Sequence, residues 1–407
     1  MPGTTSIPRK AHEMSKLLKL GICISHPIQY KAPLFRRLAA QPGLELRVFF
    51  FSDTGLAAKS DPYHGTTAKW DIPLLKGYHS EIMHNWWPSD AFRPWGIGPY
   101  ANFSIIGKVA QCDAVVIHSY TSLSDWMAWL VARIRGIPVL FFGDMYGRAN
   151  DTARQQVRRR LASKMLSGCA AVLAIGSVAR DVYVNEYGIE PGRIFLAPYA
   201  VDNDFFTEAS TSLRADQGVL RSMLGLKPDT PIVLCVAGMV PKKRQADLIE
   251  AVARLRAKCQ LVFVGHGPLM GEIQALAKSR RVDCVFAGFI NQSELPKYYA
   301  AADVFALPSL WEEFGLVVNE AMCCGLPVVA SETVAATKDL VINGGNGFVF
   351  GPGDVETLSM RLGELLVSPS MRQAFGRRSQ EMIREWSYNQ AVQGILDALR
   401  MAVGKRA

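Results

Sequence analysis

The 407-residue chain has no Cys-x-x-Cys pair and no Cys/His grouping at metal-ligand spacing, although it carries eight cysteines. That absence excludes zinc-finger and thioredoxin-type chemistry. Cys23, Cys235 and Cys284 lie in apolar, strand-like runs, and the adjacent Cys323 and Cys324 read as helix-packing residues, the alternative being a redox pair. No apolar run reaches the roughly 18 residues of a membrane span. The most apolar helical stretch, 126–137, is interrupted by Arg133 and Arg135. The opening MPGTTSIPRKAHEMSKLLKL has no apolar core of signal-peptide length, so residues 1–16 are expected to form a flexible start to a cytoplasmic protein. Helix-turn-helix, zinc-finger and RNA-binding aromatic patterns are missing, and nucleic acid is not an expected partner.

What is present is an ordinary globular composition with a basic surplus: 49% hydrophobic, 20% charged, formal net charge +9. The surplus favours anionic partners such as nucleotide phosphates, an acidic acceptor or an anionic membrane face; a solvated surface excess accounts for it equally well. Val-, Ile- and Phe-rich runs at 20–25, 46–51, 114–118, 139–142 and 171–175 alternate with amphipathic stretches, the signature of parallel sheets covered on both faces. The alternation loosens at 200–230, where 201–214 reads as polar and irregular, and then a second series starts at 232–236. The expected fold is α/β, with two Rossmann-like doubly wound domains facing across a cleft. Expected boundaries are 17–215 for an acceptor-side domain and 216–385 for a donor domain. The terminal segment 386–407 is an amphipathic helix that either crosses back to the first domain or packs on its own.

The richest segment is 304–325, VFALPSLWEEFGLVVNEAMCCG. A buried strand is followed by an acidic loop and a helix that begins near Phe314 or Gly315. A helix start presents unpaired N–H groups and partial positive charge, a natural phosphate seat, and glycine permits close approach. Glu312 then faces a hydroxylated group outside the helix and Glu320 another about two turns along, which suits a sugar, a diphosphate and a ribose in line. Taken by spacing alone, the two remain readable as ordinary acids near a helix start. A second element, AGMVPKKRQADLIEA at 237–251, runs from a strand into a turn with Lys242, Lys243 and Arg244. A fixed cation there stabilises a leaving diphosphate; a solvated basic turn is the alternative. Gly265-His266-Gly267 begins like a dinucleotide fingerprint but has Met270 where the third glycine belongs, which weakens a reading as an NAD site.

From Glu312 the chain reads EEFGLVVNEAMCCGLPVVAS, which resembles the E-x(7)-E donor signature of the family 4 retaining glycosyltransferases of the GT-B architecture. VGHGPL at 264–269, AGF at 287–289, ADVFALPS at 302–309 and KDLVINGGNGFVF at 338–350 extend the similarity. The resemblance implies that Glu312 contacts the transferred sugar, Glu320 the ribose, and Gly315, Leu316 and Val317 the diphosphate, with Gly265, Phe289 and Phe314 around the donor. Lys243 falls on the family's lysine, whereas Gly238 stands where the family has arginine, leaving Lys242 or Arg244 to substitute. SHPIQYKAP at 25–33 is similar to a bacterial branch of the family and places His26, Gln29 and Tyr30 on the acceptor side; His118 ends a strand where the family often has a histidine near the sugar.

The resemblance further implies a metal-independent enzyme with no cofactor beyond a UDP- or GDP-linked sugar co-substrate. Its acceptor is a glycan or glycolipid of a bacterial surface, and no protein nucleophile is required. Peripheral contact with the inner membrane surface is one reading of two features: the aromatics Trp86, Trp87, Trp95 and Tyr100 in one loop, for which stacking on a sugar and plain loop packing are the alternatives, and the basic segment Arg154, Arg158, Arg159, Arg160 and Lys164. The competing classes are a sugar-nucleotide isomerase on the same architecture and a non-catalytic binder of glycans or lipid surfaces.

Overall fold

The computed structural model describes residues 17–56, 59–61, 66–68, 70–87, 100–144 and 153–404. The flexible start expected for 1–16, Trp95, the side chain of Arg154 and the end of the 386–407 segment lie outside the described residues.

Fifteen strands are described: β1 (Leu18–Ile24), β2 (Leu44–Phe50), the short antiparallel pair β3 (Lys59–Asp61) and β4 (Thr66–Ala68), β5 (His79–Ile82), β6 (Ala114–Ile117), β7 (Val139–Phe141), β8 (Ala171–Ala174) and β9 (Ile194–Leu196) in the first half, then β10 (Ile232–Val236), β11 (Gln260–Val264), β12 (Cys284–Gly288), β13 (Val304–Leu307), β14 (Val328–Ser331) and β15 (Gly347–Phe350). The first large sheet has the order β5-β2-β1-β6-β7-β8-β9 and the second β12-β11-β10-β13-β14-β15. Every pairing within these two sheets is parallel. The central strands β6, β8, β10 and β13 are buried throughout, as helices on both faces require. The chain is thus two doubly wound α/β domains, and the carboxyl ends of both sheets carry the residues singled out above.

Residues 201–214, read from sequence as irregular, form a helix, Asn203–Arg214. Asp202 caps it by accepting from the Phe205 N–H, and Phe206 and Ser210, one turn apart, form its buried side. This helix packs against the Leu295–Ala301 and Leu316–Cys323 helices of the second half, so the chain passes between domains just before it. The closing helix Tyr388–Gly404 returns to β7, β8, β9 and the Ala32–Ala39 helix. At Gly394 the approach to Leu196 is so close that a Cβ would lie 1.8 Å from its carbonyl oxygen.

Hydrogen bonds tie the halves together. The Asn319 amide and the Trp386 indole both donate to the Tyr199 carbonyl, at 3.1 and 2.8 Å. Asp339 accepts from the Ser177 N–H and hydroxyl at the start of the Ser177–Asn185 helix. All eight cysteines are free thiols, and Cys323 and Cys324 are buried, their thiols pushed up by burial.

Candidate active site

β13 ends at Leu307, and the loop after it is pinned from below. The Glu312 N–H donates to the Thr333 carbonyl at 3.2 Å, and the Ala336 N–H donates to the Phe314 carbonyl at 2.8 Å. Glu312 is buried, 9% exposed, and one of its carboxylate oxygens accepts both the Ser309 hydroxyl at 2.7 Å and the Lys243 ammonium. Lys243 stands in the 3₁₀ turn Pro241–Lys243 after β10, and the Leu310 N–H donating to the Lys242 carbonyl at 2.7 Å holds that turn against the acidic loop. Gly315, at φ +103°, reverses the chain into the Leu316–Cys323 helix, a conformation that side-chain-bearing residues rarely adopt. Helix geometry leaves the N–H groups of Leu316 and Val317 without intrahelical acceptors, aimed out of the helix start. Glu320, further along that helix, accepts from the Tyr299 hydroxyl at 2.7 Å. Burial pushes its carboxyl up to about 7, against the opposing effect of that hydrogen bond.

Of the three cations expected at the diphosphate, only Lys243 turns to Glu312. Arg244, in the left-handed region at φ +49°, closes onto Asp247 with two hydrogen bonds of 2.5 and 3.0 Å. Lys242 lies 3.8 Å above the Trp311 ring and 3.6 Å from the Glu313 carboxylate. Gly238 gives its carbonyl to the Gln245 amide at 3.0 Å. The Gly265–Gly267 loop packs directly on this turn: at Gly265, φ +137°, a Cβ would lie 2.1 Å from the Ala237 carbonyl oxygen. Phe314 differs from the expectation of a donor contact. Its side chain is 3% exposed, stacked on Trp386 at 6.0 Å and edge-on to Tyr199 at 5.9 Å, so only its backbone remains for a ligand. Phe289 is half-exposed at the other end of the site, facing Trp70 of the first half at 6.1 Å. There the Ser293 hydroxyl and N–H donate to Asp71 across the junction.

On the first half, His26, Gln29 and Tyr30 share the turn between β1 and the Ala32–Ala39 helix, each half-buried. His26 shares a 2.9 Å hydrogen bond with Ser25, and burial lowers its pKa. His118 follows β6, and its Nε2 is buried with no hydrogen-bond partner among the described residues. Burial, and next the Lys31 charge, hold the imidazole well below its ordinary pKa, so it is neutral at pH 7. Ring contacts join this side to the donor side. His118 meets Phe142 at 5.0 Å, Phe142 meets Tyr199 at 6.1 Å, Tyr30 meets Tyr199 at 5.4 Å, and Tyr199 reaches Phe314.

Three residues of this junction escaped the sequence reading. Lys31, 2% exposed, has its ammonium 3.8 Å from the Phe142 ring centre and 4.3 Å from that of Tyr199, with no hydrogen-bond partner among the described residues. Burial lowers its pKa to about 7. Asp144 accepts the Tyr199 hydroxyl, and burial raises its carboxyl. Lys31 directly follows His26-Pro-Ile-Gln-Tyr30, so a lysine at a helix start beside that motif was the available signal; nothing local marks Asp144 or Tyr199. Trp86 is exposed, whereas Trp87 and Tyr100 are half-buried.

Comparison with known proteins bears on the family and the fold. A model described as Glycosyltransferase Family 4 matches residues 34–205, and one described as Glycosyl transferases group 1 matches residues 216–382. The D-inositol 3-phosphate glycosyltransferase of Xylanimonas cellulosilytica is 29% identical over 305 residues, 72% of this chain and 73% of that protein. A GDP-mannose-dependent monoacylated alpha-(1-6)-phosphatidylinositol monomannoside mannosyltransferase of Corynebacterium glutamicum is 32% identical over 202 residues, 47% of this chain and 52% of the relative. Among solved structures, a glycosyltransferase from Rickettsia africae ESF-5 superimposes with a TM-score of 0.74 at 15% identity, covering 96% of this chain and all of that one. Anabaena Alr3699/HepE in complex with UDP gives 0.72 at 19% identity, covering 94% and 99%. The two family models together span most of the chain, which belongs to the family 4 glycosyltransferases and carries their GT-B fold.

Proposed function

We propose that the protein is a retaining glycosyltransferase that moves a hexose from a UDP- or GDP-linked donor to a glycan or glycolipid acceptor, in the synthesis of bacterial surface polysaccharide. The observation that carries the reading is the Lys243–Glu312–Ser309 cluster set just ahead of the Gly315 helix start. In it, the N–H groups of Leu316 and Val317 and the Lys243 ammonium meet the diphosphate, Glu312 accepts from sugar hydroxyls, and Glu320 accepts from the ribose. These fixed positive groups face the charge that develops on the leaving diphosphate, so the transfer proceeds without a protein-bound metal. The leaving phosphate takes the acceptor proton as attack occurs on the face it vacates. His118, neutral and with Nε2 unengaged, faces the transferred sugar from the other domain, with His26, Gln29 and Tyr30 toward the acceptor. The relatives named for inositol phosphate and phosphatidylinositol mannoside acceptors support a phosphorylated or lipid-linked acceptor.

The test is a thermal-shift screen of the purified full chain with UDP, GDP, ADP, dTDP and NAD in EDTA, followed by turnover with the matching nucleotide sugars. One nucleoside diphosphate is expected to raise the melting temperature. A rise with NAD alone, or with none of them, overturns the donor-site reading.

A further inference from the structure

The candidate active site lies at the carboxyl ends of the second sheet. At the opposite end, where β13 and β14 begin, the second domain borders a small basic cavity of 200 Å³. Its wall includes Arg214, Gln217, Asp303, Gly325, Arg372 and Gln373. The wall is tightly built: at Gly376, one turn beyond Arg372, a Cβ would lie 2.2 Å from the Gly325 carbonyl oxygen. Pro369, also in the wall, opens the Pro369–Ile383 helix, whose amino end carries partial positive charge.

The charges around this cavity do not balance. Asp303 is the only carboxylate in its wall, and it is already engaged. One of its oxygens accepts from the Arg221 guanidinium and the Ile232 N–H, both at 2.7 Å, and the other lies 4.0 Å from the Arg372 Nε. Three arginines, Arg214, Arg221 and Arg372, thus share one aspartate. Arg221 is turned wholly to the protein, its Nε and Nη1 donating to the Ala301 and Pro228 carbonyls at 2.9 Å. The other two keep donors in reserve, since a guanidinium has five N–H groups. The bonds described for Arg372 use only its Nη1, which donates to the Leu365 and Leu366 carbonyls. Arg214 gives its Nη2 to the Tyr299 carbonyl at 3.3 Å, and its buried Nε–H has no acceptor among the described residues. Burial works against the Arg214 charge, yet an arginine stays protonated inside a protein. A sequestered cation without a counter-charge is costly, so the cavity lacks an anion.

We infer that this cavity is a binding site for a tetrahedral oxoanion of the phosphate type, held between the Arg214 and Arg372 guanidiniums. Planar guanidinium forks match such oxygens, and charge-assisted bonds to them are the strong ones. Size narrows the ligand further: 200 Å³ falls below the roughly 300 Å³ at which pockets for organic ligands begin. The ligand is therefore the free ion and not a nucleotide. Its binding neutralises the surplus charge and stabilises the folded chain by mass action. The site is separate from the donor site, and its success or failure does not depend on the nucleotide.

The test is a melting-temperature titration of the full chain with inorganic phosphate, with sodium chloride at matched ionic strength as the control. A saturable rise is expected with phosphate and not with chloride. It should persist in Lys243→Met/Glu312→Leu, which removes the donor-site cation. Arg214→Gln/Arg372→Gln should weaken phosphate by about tenfold or more, the loss expected for hydrogen bonds to charged groups. Should that pair fail to fold, Gln373, an exposed part of the wall, allows two milder changes of opposite sign. Gln373→Glu should weaken phosphate and Gln373→Lys tighten it, each by about threefold. No rise in the wild type, an equal rise with chloride, a rise lost in the donor-site variant, or wild-type phosphate affinity in the folded cavity variants overturns the inference.

Discussion

If Glu320 accepts the ribose hydroxyls, nucleotide affinity depends on its ionisation. Its carboxyl is raised from an ordinary 4.5 to about 7, chiefly by burial, while the Tyr299 hydroxyl works the other way. Only the carboxylate accepts from both ribose hydroxyls, so the binding-competent fraction is about 0.1 near pH 6 and about 0.9 near pH 8, and apparent affinity scales with that fraction. UDP or GDP is therefore expected to bind about tenfold more tightly at the higher pH. The diphosphate also titrates near pH 6, so the measurement is a comparison by calorimetry of wild type with Glu320→Gln. The variant should bind more weakly and lack the extra tenfold dependence. The same group sets a sign for stability. An acid with a raised folded pKa costs nothing below pH 4.5, and its full cost, about 3 kcal/mol, is present above pH 7. Glu320→Gln should therefore melt higher than wild type near pH 8, with the gap closing toward pH 5. Parallel pH profiles of wild type and variant, in binding and in melting, refute the reasoning.

Three further outcomes follow from the same geometry. Glu312→Ala removes the partner of a half-sequestered Lys243, so turnover should fall tenfold or more and stability by about 3 kcal/mol, read from denaturant midpoints. Lys243→Met/Glu312→Leu should recover most of the stability and none of the turnover; a double variant no more stable than Glu312→Ala contradicts the assignment of the loss to an unpaired charge. Gly265→Ala forces a Cβ onto the Ala237 carbonyl at φ +137°, and it should cost at least about 2 kcal/mol and abolish the nucleotide-induced shift; an unchanged urea midpoint counts against that backbone. Lys31→Met should move the His118 titration upward, read by NMR of the imidazole C–H. Because the lysine falls from 10.5 to about 7 on burial, its charge costs stability fully below pH 7 and not above pH 10.5, so the variant's gain in melting temperature should be largest near pH 6 and vanish toward pH 10. A wild-type-like imidazole titration, or a gain independent of pH, refutes that account.

The second domain was the more legible half because its site is local in sequence. Glu312, Gly315 and Glu320 sit within one loop and helix, and Lys243 follows a strand whose end is fixed by an unbroken apolar run. Strand and helix periods there agree with turn residues, so strand register and the candidate site are read together. Even there, side-chain direction was not legible. Arg244 and Lys243 are neighbours of one charge, and only the left-handed φ of Arg244 sends its guanidinium to Asp247 rather than to the cleft. Phe314 lies inside the most specific motif, yet it packs between Tyr199 and Trp386, residues far from it in sequence.

The first domain hid its chemistry for a related reason. Its junction is assembled from the ends of separate strands: Tyr30 and Lys31 after β1, His118 after β6, Phe142 and Asp144 after β7, Tyr199 after β9. Apart from the Lys31 ammonium over the neighbouring Tyr30 ring, the contacts among them join different strand ends, so no spacing marks them as a group. The segment 201–214 misled for the opposite reason. Its polar face outweighs its buried positions, and only docking onto the Leu295–Ala301 and Leu316–Cys323 helices gives Phe206 and Ser210 a place to go. That docking sets Tyr199 against Phe314, immediately before the Gly315 helix start. The residues of the first domain at this junction are therefore fixed by how the two domains close, a relation that no single stretch of sequence contains. Lys31, buried at that closure with no hydrogen-bond partner among the described residues, is a costly feature, which is why its replacement should raise stability.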